Sequence, residues 1–414
     1  MRRVVITGIG LLTPAGKTPE ELWRNCLEGN SGIGHITLFD TEEYATHIAG
    51  QVWDFDPEAE LDPKLVKRTA RFTQLALVAA RQALEDAGFQ GLGPLPEKDQ
   101  ERTAVILGSG IGGLDVFEEQ HQILLERGPR RISPFFVPMI IADMAAGMVA
   151  IHCQALGPNY AVVTACATST HNIGAAYREI KYGAADMAIT GGAEGVVVPT
   201  ALGGFCSARA LSRRNDDPKG ACRPFDRDRD GFVMAEGASV MILEELEHAR
   251  ARDARIYGEI VGFGTSGDAY HMTAPRPDGR GAVLAMQAAL AEAGHEPTEL
   301  DYINAHAPGT VEGDAMEARA LETLLGDEGK KVAVSSTKPI HGHQLGATGG
   351  TETIVCLLAM RDGVVPPTLN CDNPEREYGF GLVRGEPQER PVRLAMTNSF
   401  GFGGHNAVLV LASL

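Results

Sequence analysis

The chain has 414 residues, of which 44% are hydrophobic and 22% are charged, so it is long enough to build two large hydrophobic cores. Its formal net charge of −17 disfavours nucleic acid as a partner, and no apolar run approaches the length of a membrane span. The seven cysteines form no CxxC pair, and the first residues lead into a predicted strand without a signal-peptide core. We therefore expect a reduced, cytoplasmic protein without disulfides or a zinc site.

Strand and helix signals alternate along the chain, which predicts layered α/β architecture. The first series of signals predicts strands at 4–8, 103–107, 161–164, 187–190 and 238–243, and helices at 18–27, 69–87 and 172–182. A second series predicts strands at 256–263, 302–305, 332–335, 394–397 and 407–412, and helices at 281–293, 314–325 and 343–360.

The second series resembles the first. Residues 4–10 align with 259–264, residues 162–166 align with 332–336, and the strand ending at Gly192 aligns with the strand ending at Ser399. We therefore predict a divergent duplication, with an N-terminal half at 1–255 and a C-terminal half at 256–414. Polar residues at equivalent strand ends would then meet in one pocket between the halves.

Cys166 lies where the predicted strand at 161–164 turns into a helix. Free N–H groups and the positive end of a helix dipole favour a thiolate at such a turn, and they can hold a thioester oxygen. The small neighbours Ala165 and Ala167 leave room for a substrate. A buried structural cysteine is the alternative for an isolated thiol.

Three further turns carry reactive or flexible side chains directly after predicted strands. They are residues 304–310 with His306, residues 335–343 with Lys338 and His343, and residues 398–406 with Phe402 among glycines. A single histidine or glycine-rich turn is usually structural. Four such turns at strand ends are hard to assign to packing alone, so we predict that they share one active site.

In this order and spacing, the four turns resemble those of the β-ketoacyl-acyl carrier protein synthases of the type I/II (Cys-His-His) group, in a pattern nearest to synthase II. The resemblance extends along essentially the whole chain. It implies a duplicated thiolase-like fold with α-β-α-β-α layers, usually a homodimer, whose active site lies where the halves meet. It also implies a decarboxylating condensation of a cysteine-bound acyl group with malonyl-acyl carrier protein, which yields a 3-oxoacyl carrier in fatty acid elongation.

The resemblance assigns a role to each turn, and chemistry explains the residue types. Cys166 would be the nucleophile that takes the acyl group, and His306 and His343 would stabilise the oxygen of the malonyl thioester during decarboxylation. Lys338 would support the two histidines. The N–H groups of Cys166 and Phe402 would hold the second oxyanion, and Phe402 would gate the pocket. Neither a cofactor nor a catalytic metal is implied.

The resemblance also suggests the surroundings of the site. Four residues are expected to line the substrate pocket, namely Ile111, Phe205, Thr310 and Phe400. Six basic residues are expected to dock the acidic acyl carrier protein, namely Lys64, Lys67, Arg68, Arg130, Arg131 and Arg209. Asn304 and Thr310 are candidates to touch the pantetheine arm, and Asn304, Glu352 and Asn398 resemble a structural cation site of some relatives. His341 and His405 are expected to be structural.

Two turns depart from the family pattern, residues 307–310 and residues 338–343, the second through Pro339 and the extra histidine His341, and other readings remain open. Pro308 stands where the family usually has a threonine, so a hydroxyl and a backbone donor for pantetheine are missing. The departures leave open a ketosynthase of a specialised polyketide or polyene pathway. Gly8 and Gly10, or the glycines at 108–113, would suit a dinucleotide-binding oxidoreductase, although the first lacks a third glycine and neither is followed by the required acidic residue. A non-catalytic carrier-binding module is a third reading.

Overall fold

The strands and helices follow the hydrophobic patterns of the sequence, and the computed structural model describes residues 1–414. The strands are β1 (Val4–Leu12), β2 (Ile33–His35), β3 (Ile48–Gly50), β4 (Thr103–Gly108), β5 (Asn159–Tyr160), β6 (Met187–Glu194), β7 (Gly237–Glu245), β8 (Gly258–Gly267), β9 (Tyr302–Asn304), β10 (Ala333–Ser335), β11 (Val364–Val365), β12 (Gly381–Leu382), β13 (Gln388–Glu389), β14 (Leu394–Gly401) and β15 (His405–Ala412).

The helices begin and end near the predicted residues. They are α1 (Pro19–Glu28), α2 (Pro57–Glu60), α3 (Pro63–Val66), α4 (Arg71–Asp86), α5 (Glu97–Gln100), α6 (Leu114–Arg127), α7 (Phe136–Ile140), α8 (Met144–Cys153), α9 (Thr168–Lys181), α10 (Pro199–Ser207), α11 (Leu246–Ala251), α12 (Arg280–Ala293), α13 (Val311–Leu325), α14 (Lys338–His341) and α15 (Thr348–Asp362). No helix combines the length and the apolar character needed to cross a lipid bilayer.

Eleven strands form one continuous hydrogen-bonded sheet, in the order β12-β10-β9-β14-β15-β8-β1-β7-β6-β4-β5. The first half contributes β5-β4-β6-β7-β1, and the second contributes β10-β9-β14-β15-β8 in the corresponding order. In each half the first three of these strands are parallel, and the other two pair antiparallel. The halves join where residues 4–6 of β1 pair with residues 258–260 of β8. The same fold therefore occurs twice, although the boundary between residues 255 and 256 remains a prediction.

The helices lie in three layers around the strands. Helices α4 and α8 cover the outer face of the first half, and α12 and α13 cover the outer face of the second. Helices α9 and α15 lie between the two groups of strands and pack in the largest apolar cluster. This arrangement confirms the predicted α-β-α-β-α layers. It also brings the N-terminal ends of α9 and α15 together, because the turns before them contact each other.

Gly8 and Gly10, which in the sequence suggest part of a phosphate-binding loop, allow a helix to pack closely on β1. A Cβ atom on Gly8 would lie 2.2 Å from the carbonyl oxygen of Ala83 in α4, so only glycine lets this helix lie so close to β1. The second half repeats this close approach, because a Cβ atom on Gly262, the counterpart of Gly8, would lie 2.1 Å from the carbonyl oxygen of Ala289 in α12. These contacts leave no space for a pyrophosphate beside Gly8, and they argue against a dinucleotide-binding loop at that position.

Two predicted elements differ from the structure. The buried strand predicted at 161–164 is wrong, because β5 ends at Tyr160 and Val163 is 49% exposed. Strand β5 pairs only with β4, and the Val162 N–H donates to the Asn172 side chain at 2.7 Å instead of continuing a ladder. The helix predicted from His343 begins at Thr348, because the His343 N–H donates to the Val233 carbonyl at 2.8 Å and so draws the chain away from a helix.

Candidate active site

Cys166 lies in a short 3₁₀ turn, Ala165–Ala167, immediately before α9. Ala165 has a φ angle of +51°, an uncommon conformation for a residue other than glycine, and it makes the turn sharp. The backbone N–H groups of Phe402 and of Cys166 itself point toward the sulfur. Gly401 permits this approach, since a Cβ atom there would lie 3.1 Å from the Cys166 nitrogen. The site therefore presents a thiol beside two amide donors.

The charge state of Cys166 differs from the expectation of a resting thiolate. Burial raises the pKa of the thiol to about 11, and it outweighs the opposing effects of the Phe402 N–H and the Lys338 ammonium. The thiol therefore keeps its proton at neutral pH, and it must lose that proton when it attacks a thioester.

His306 and His343 face each other from separate turns of the second half. Their ring centroids are 5.2 Å apart and the ring planes are inclined by 80°. The N–H groups of His306 and Ala307 donate to the two carboxylate oxygens of Glu317 at 2.9 and 2.7 Å, which fixes the first turn. His343 Nδ1 lies 3.0 Å from the hydroxyl of Thr348, which fixes the orientation of the second ring.

Both imidazoles are neutral at physiological pH. Burial is the main cause that lowers the pKa of His306 and of His343 well below 6.5, and the Lys338 ammonium adds to it. A neutral imidazole offers one N–H donor and one acceptor nitrogen. The pair can therefore donate to a thioester oxygen and can also accept the proton of an attacking thiol.

Lys338 lies behind the histidines rather than in the cavity. Its side chain is fully buried, and its ammonium pairs with Glu352 Oε1 at 2.5 Å. The ammonium favours the thiolate form of Cys166 and opposes protonation of His306 and His343. The structure thus differs from the expectation that all four groups share one cavity, because Lys338 influences the others through its electric field.

A single cavity of about 520 Å³ joins the remaining predicted residues. Cys166, His306, His343 and Phe402 line it, together with Ile111, Phe205, Thr310 and Phe400 of the predicted pocket and Arg209 at its edge. Asn304 does not line the cavity. The Thr310 hydroxyl accepts the Gly313 N–H at 3.2 Å and so caps α13, which shows a structural use of this side chain.

Comparisons with known proteins decide the family. Residues 1–249 match the β-ketoacyl synthase N-terminal domain, and residues 257–372 match the β-ketoacyl synthase C-terminal domain. The chain is 50% identical over 409 residues to 3-oxoacyl-[acyl-carrier-protein] synthase 2 of Staphylococcus aureus, an alignment that covers 99% of this chain and 98% of that protein. It is 48% identical over 411 residues to the synthase of the same name from Coxiella burnetii, with coverage of 99% and 98%. The chain belongs to the β-ketoacyl synthase family.

Solved structures of β-ketoacyl synthases agree with the fold. A β-ketoacyl synthase from Burkholderia phymatum superposes with a TM-score of 0.93 at 32% identity, and the match covers 100% of both chains. The ishigamide ketosynthase/chain length factor superposes with a TM-score of 0.90 at 35% identity, covering 100% of this chain and 99% of that one. The predicted family and its thiolase-like fold are therefore confirmed.

Three buried oxygen atoms around the active site have no hydrogen-bond partner. They belong to the side chains of Asn304, Glu352 and Asn398, the residues that resemble the structural cation site of some family members. Amide and carboxylate oxygens are the ligands that hard cations prefer, so these residues fit such an ion. No group of three or more His, Cys, Asp or Glu side chains is arranged to hold a metal.

Sequence reasoning missed the partners that fix the turns of His306 and His343. Glu317 could have been found, because Asp314 and Glu317 are acidic residues three positions apart on the apolar face of a predicted helix. Such residues need buried partners, and both bind backbone N–H groups of the His306 turn. Thr348 gave no comparable signal.

The six basic residues expected to dock a carrier are all exposed. Lys64 lies in α3, Lys67 and Arg68 follow it, and the guanidinium of Arg68 lies 4.8 Å from the centre of the Phe135 ring. Arg130 and Arg131 belong to the 3₁₀ turn that ends before Ile132. Only Arg209 reaches the edge of the cavity.

Proposed function

We propose that the chain catalyses the decarboxylating condensation of a Cys166-bound acyl group with malonyl-acyl carrier protein, which yields a 3-oxoacyl carrier for fatty acid elongation. The observation that carries the proposal is the single cavity lined by one thiol and two neutral imidazoles, in a β-ketoacyl synthase that is 50% identical to a 3-oxoacyl-[acyl-carrier-protein] synthase 2. The roles proposed for Cys166, His306, His343 and Lys338 are those that the family resemblance implies, and the cavity supports the first three of them.

The first half-reaction transfers the acyl group. Cys166 attacks the thioester of an acyl carrier, the new carbon–sulfur bond forms at residue 166, and the carrier leaves as a free thiol. A neutral imidazole facing the cavity accepts the thiol proton and returns it to the departing sulfur. The N–H groups of Cys166 and Phe402 stabilise the negative oxygen of the tetrahedral intermediate.

The second half-reaction forms the carbon–carbon bond. A malonyl carrier loses CO₂, and the electron pair of the broken bond becomes an enolate whose oxygen accepts hydrogen bonds from His306 and His343. The enolate carbon attacks the acyl group on Cys166, and the carbon–sulfur bond at that residue breaks. The released thiolate then takes up a proton, in accord with its raised pKa of about 11.

Mass spectrometry tests this proposal directly. The protein incubated with an acyl carrier should gain one acyl group on the peptide that contains Cys166, and subsequent addition of malonyl carrier should release a 3-oxoacyl carrier longer by one two-carbon unit. Carrier binding without acylation or product would contradict the proposal and would favour the non-catalytic binding module.

A ketosynthase of a polyketide pathway is the second candidate. The fold is shared with polyketide proteins, including a type II ketosynthase solved with its acyl-carrier protein and a bound hexaketide, at 30% identity and a TM-score of 0.90. The higher identity to the elongation enzymes favours fatty acid synthesis. Repeated condensation with malonyl carrier in the absence of reductases, giving an unreduced poly-β-keto chain, would instead identify the polyketide enzyme.

The basic residues support docking of an acidic carrier. The chain as a whole is strongly acidic, so the exposed Lys64, Lys67, Arg68, Arg130, Arg131 and Arg209 are a local exception that an acidic carrier can use. Arg209 at the cavity edge is suitably placed to contact a carrier whose arm reaches Cys166.

Charge reversal by Lys67→Glu together with Arg68→Glu is expected to raise KM for the acyl carrier about 10-fold at low salt, with kcat nearly unchanged, because the pair acts on encounter rather than chemistry. The matched control is Lys98→Glu with Arg393→Glu, which makes the same charge change on exposed residues before β4 and β14, at the opposite strand ends. Equal KM values for the two double variants would reject this docking surface.

The pKa values predict a broad plateau in the pH profile. Because the pKa of His306 and of His343 lies well below 6.5, acidification to that value leaves both imidazoles neutral. We expect kcat/KM for malonyl carrier to stay constant from pH 8 to pH 6.5 and to fall only under more acid conditions. An acid limb with its midpoint at or above pH 6.5 would contradict the assignment of neutral donors.

We also propose a homodimer and a cytoplasmic location. Strand β5 has an unpaired edge, and apolar side chains near it are exposed, including Ile151, Leu156 and Val163 at 67%, 69% and 49%. A second copy of the chain that covers this edge would pair the free strand edge and bury the exposed apolar side chains. All seven cysteines are unpaired, as in a reducing compartment.

A further inference from the structure

Glu194 is a buried carboxylate in the wall of the catalytic cavity that has no role in the chemistry described above. It is the last residue of β6, it is fully buried, and it lines the same cavity as Cys166. No lysine, arginine or histidine forms an ion pair with it. A carboxylate in such a position is costly, so its hydrogen bonds should explain why it is there.

Three hydrogen-bond donors face the Glu194 carboxylate, and its negative charge also raises the pKa of the Cys166 thiol. The Ser109 hydroxyl donates to Oε1 at 2.5 Å, and the N–H groups of Gly110 and Gly346 each donate to Oε2 at 3.0 Å. The Ser109 oxygen itself accepts the N–H groups of Ile111 and Gly112, so its only proton points to the carboxylate. These bonds favour the ionised carboxylate and oppose the effect of burial, which raises the pKa of Glu194 to about 7.

Gly346, which donates to Glu194, lies in the turn of the second half that corresponds to the Cys166 turn of the first. The 3₁₀ turn Leu345–Ala347 precedes α15 as Ala165–Ala167 precedes α9, and Leu345 has a φ angle of +46° where Ala165 has +51°. The Gly346 N–H therefore corresponds to the Cys166 N–H. The alignment of Cys166 with Ser336 predicted from the sequence is therefore wrong, because the structure makes Gly346 the counterpart of Cys166. In the first half that amide faces the thiol, and in the second half the Glu194 carboxylate fills the corresponding position.

The contact between the two halves at this point is tight. A Cβ atom on Gly346 would lie 2.4 Å from the Gly110 nitrogen and 2.7 Å from Glu194 Oε2. The loop that carries Ile111 is thus held against the second half through one carboxylate, and Ile111 lines the cavity beside Cys166.

We propose that Glu194 is a positioning residue for acyl-chain selection, because its carboxylate ties the Ile111 loop to the Gly346 turn and so fixes the wall along which the acyl chain on Cys166 extends. This inference rests on the proposed function. We expect a long acyl group on Cys166 to contact more of this wall than a short one. Loosening the wall therefore penalises long chains more than short ones.

The test compares acylation of Cys166 by acetyl and dodecanoyl carriers in wild type and in Glu194→Gln, by intact-mass measurement over time. The glutamine keeps the shape but turns one acceptor into a donor that faces the Ser109 proton. We expect kcat/KM for the dodecanoyl carrier to fall about 10-fold or more and that for the acetyl carrier to change less than about 3-fold. Ser109→Ala keeps the carboxylate, should shift the ratio in the same direction by less, and carries the test if Glu194→Gln does not fold.

Glu244→Gln is the matched control. Glu244 is equally buried and accepts bonds from Thr7, His248 and Arg252, but it does not line the cavity. It should lower Tm and leave the ratio of dodecanoyl to acetyl acylation as in wild type. An unchanged ratio in Glu194→Gln or in folded Ser109→Ala, with an active wild type, would overturn the positioning role alone. A wild type that takes up no acyl group from either carrier would instead contradict the proposed function.

Discussion

Cys166→Ala is expected to lower the rate of 3-oxoacyl product formation by at least ~10³-fold, equivalent to about 4 kcal/mol in the activation barrier. The substitution removes the only thiol that lines the cavity, and no hydroxyl on the same turn faces the two amide donors in its place. Intact-mass spectrometry should detect no acyl adduct, whereas the fold should be retained, because alanine is smaller and fits the turn.

Cys206→Ala is the control for this prediction. Cys206 is half-exposed in α10 and does not line the cavity, so its removal should leave acylation and product formation at the wild-type level. An acyl adduct on the Cys166→Ala protein, or product formation within 10-fold of wild type, would show that another group is the nucleophile.

The second large effect is expected from the two histidines. His306→Ala and His343→Ala should each lower the rate of malonyl decarboxylation by about 10²- to 10³-fold, the usual cost of losing one donor to a developing oxyanion. Release of ¹⁴CO₂ from carboxyl-labelled malonyl carrier measures this step separately. Acylation of Cys166 should be reduced less than decarboxylation in at least one of the two variants, because one remaining imidazole can still accept the thiol proton.

His341→Gln is the comparison for these variants. His341 belongs to the same segment as His343 and is equally buried, but its ring bonds to Thr337 and to the Gly342 carbonyl and does not line the cavity. This variant should lose stability while its folded fraction keeps the wild-type decarboxylation rate. If both His306→Ala and His343→Ala decarboxylate malonyl carrier as fast as His341→Gln, the imidazoles do not stabilise the enolate.

Much of the fold could be predicted because duplication places similar hydrophobic patterns in both halves. The alternation of strands and helices and the matching glycines Gly8 and Gly262 are signals that can be read from the local sequence. The strand at 161–164 was mispredicted because Val162 and Val163 have high β propensity, but propensity does not report whether a neighbouring strand exists. At this edge of the sheet, the Asn172 side chain accepts the hydrogen bond of the Val162 N–H that a neighbouring strand would otherwise accept.

Residues of the candidate site could be predicted from the sequence when their residue type is itself reactive. Their charge states and exact locations could not be predicted, because these depend on partners that are distant in the chain. Cys166 and His343 stand out by type and by their turns. The resting thiol of Cys166 depends on how deeply the turn is buried, and the location of Lys338 behind the cavity depends on Glu352 in another helix. Glu194 gave no sequence signal, because its partner Gly346 is distant in the chain.

The short seam between β1 and β8 has a consequence for how this enzyme loses activity. Cys166 belongs to one half, and His306 and His343 belong to the other. The strands of the two halves pair only across residues 4–6 and 258–260. Because so few strand pairs join the halves, the separation between the sulfur and the imidazoles depends on the packing of α9 against α15, and loosening that packing is expected to lower activity.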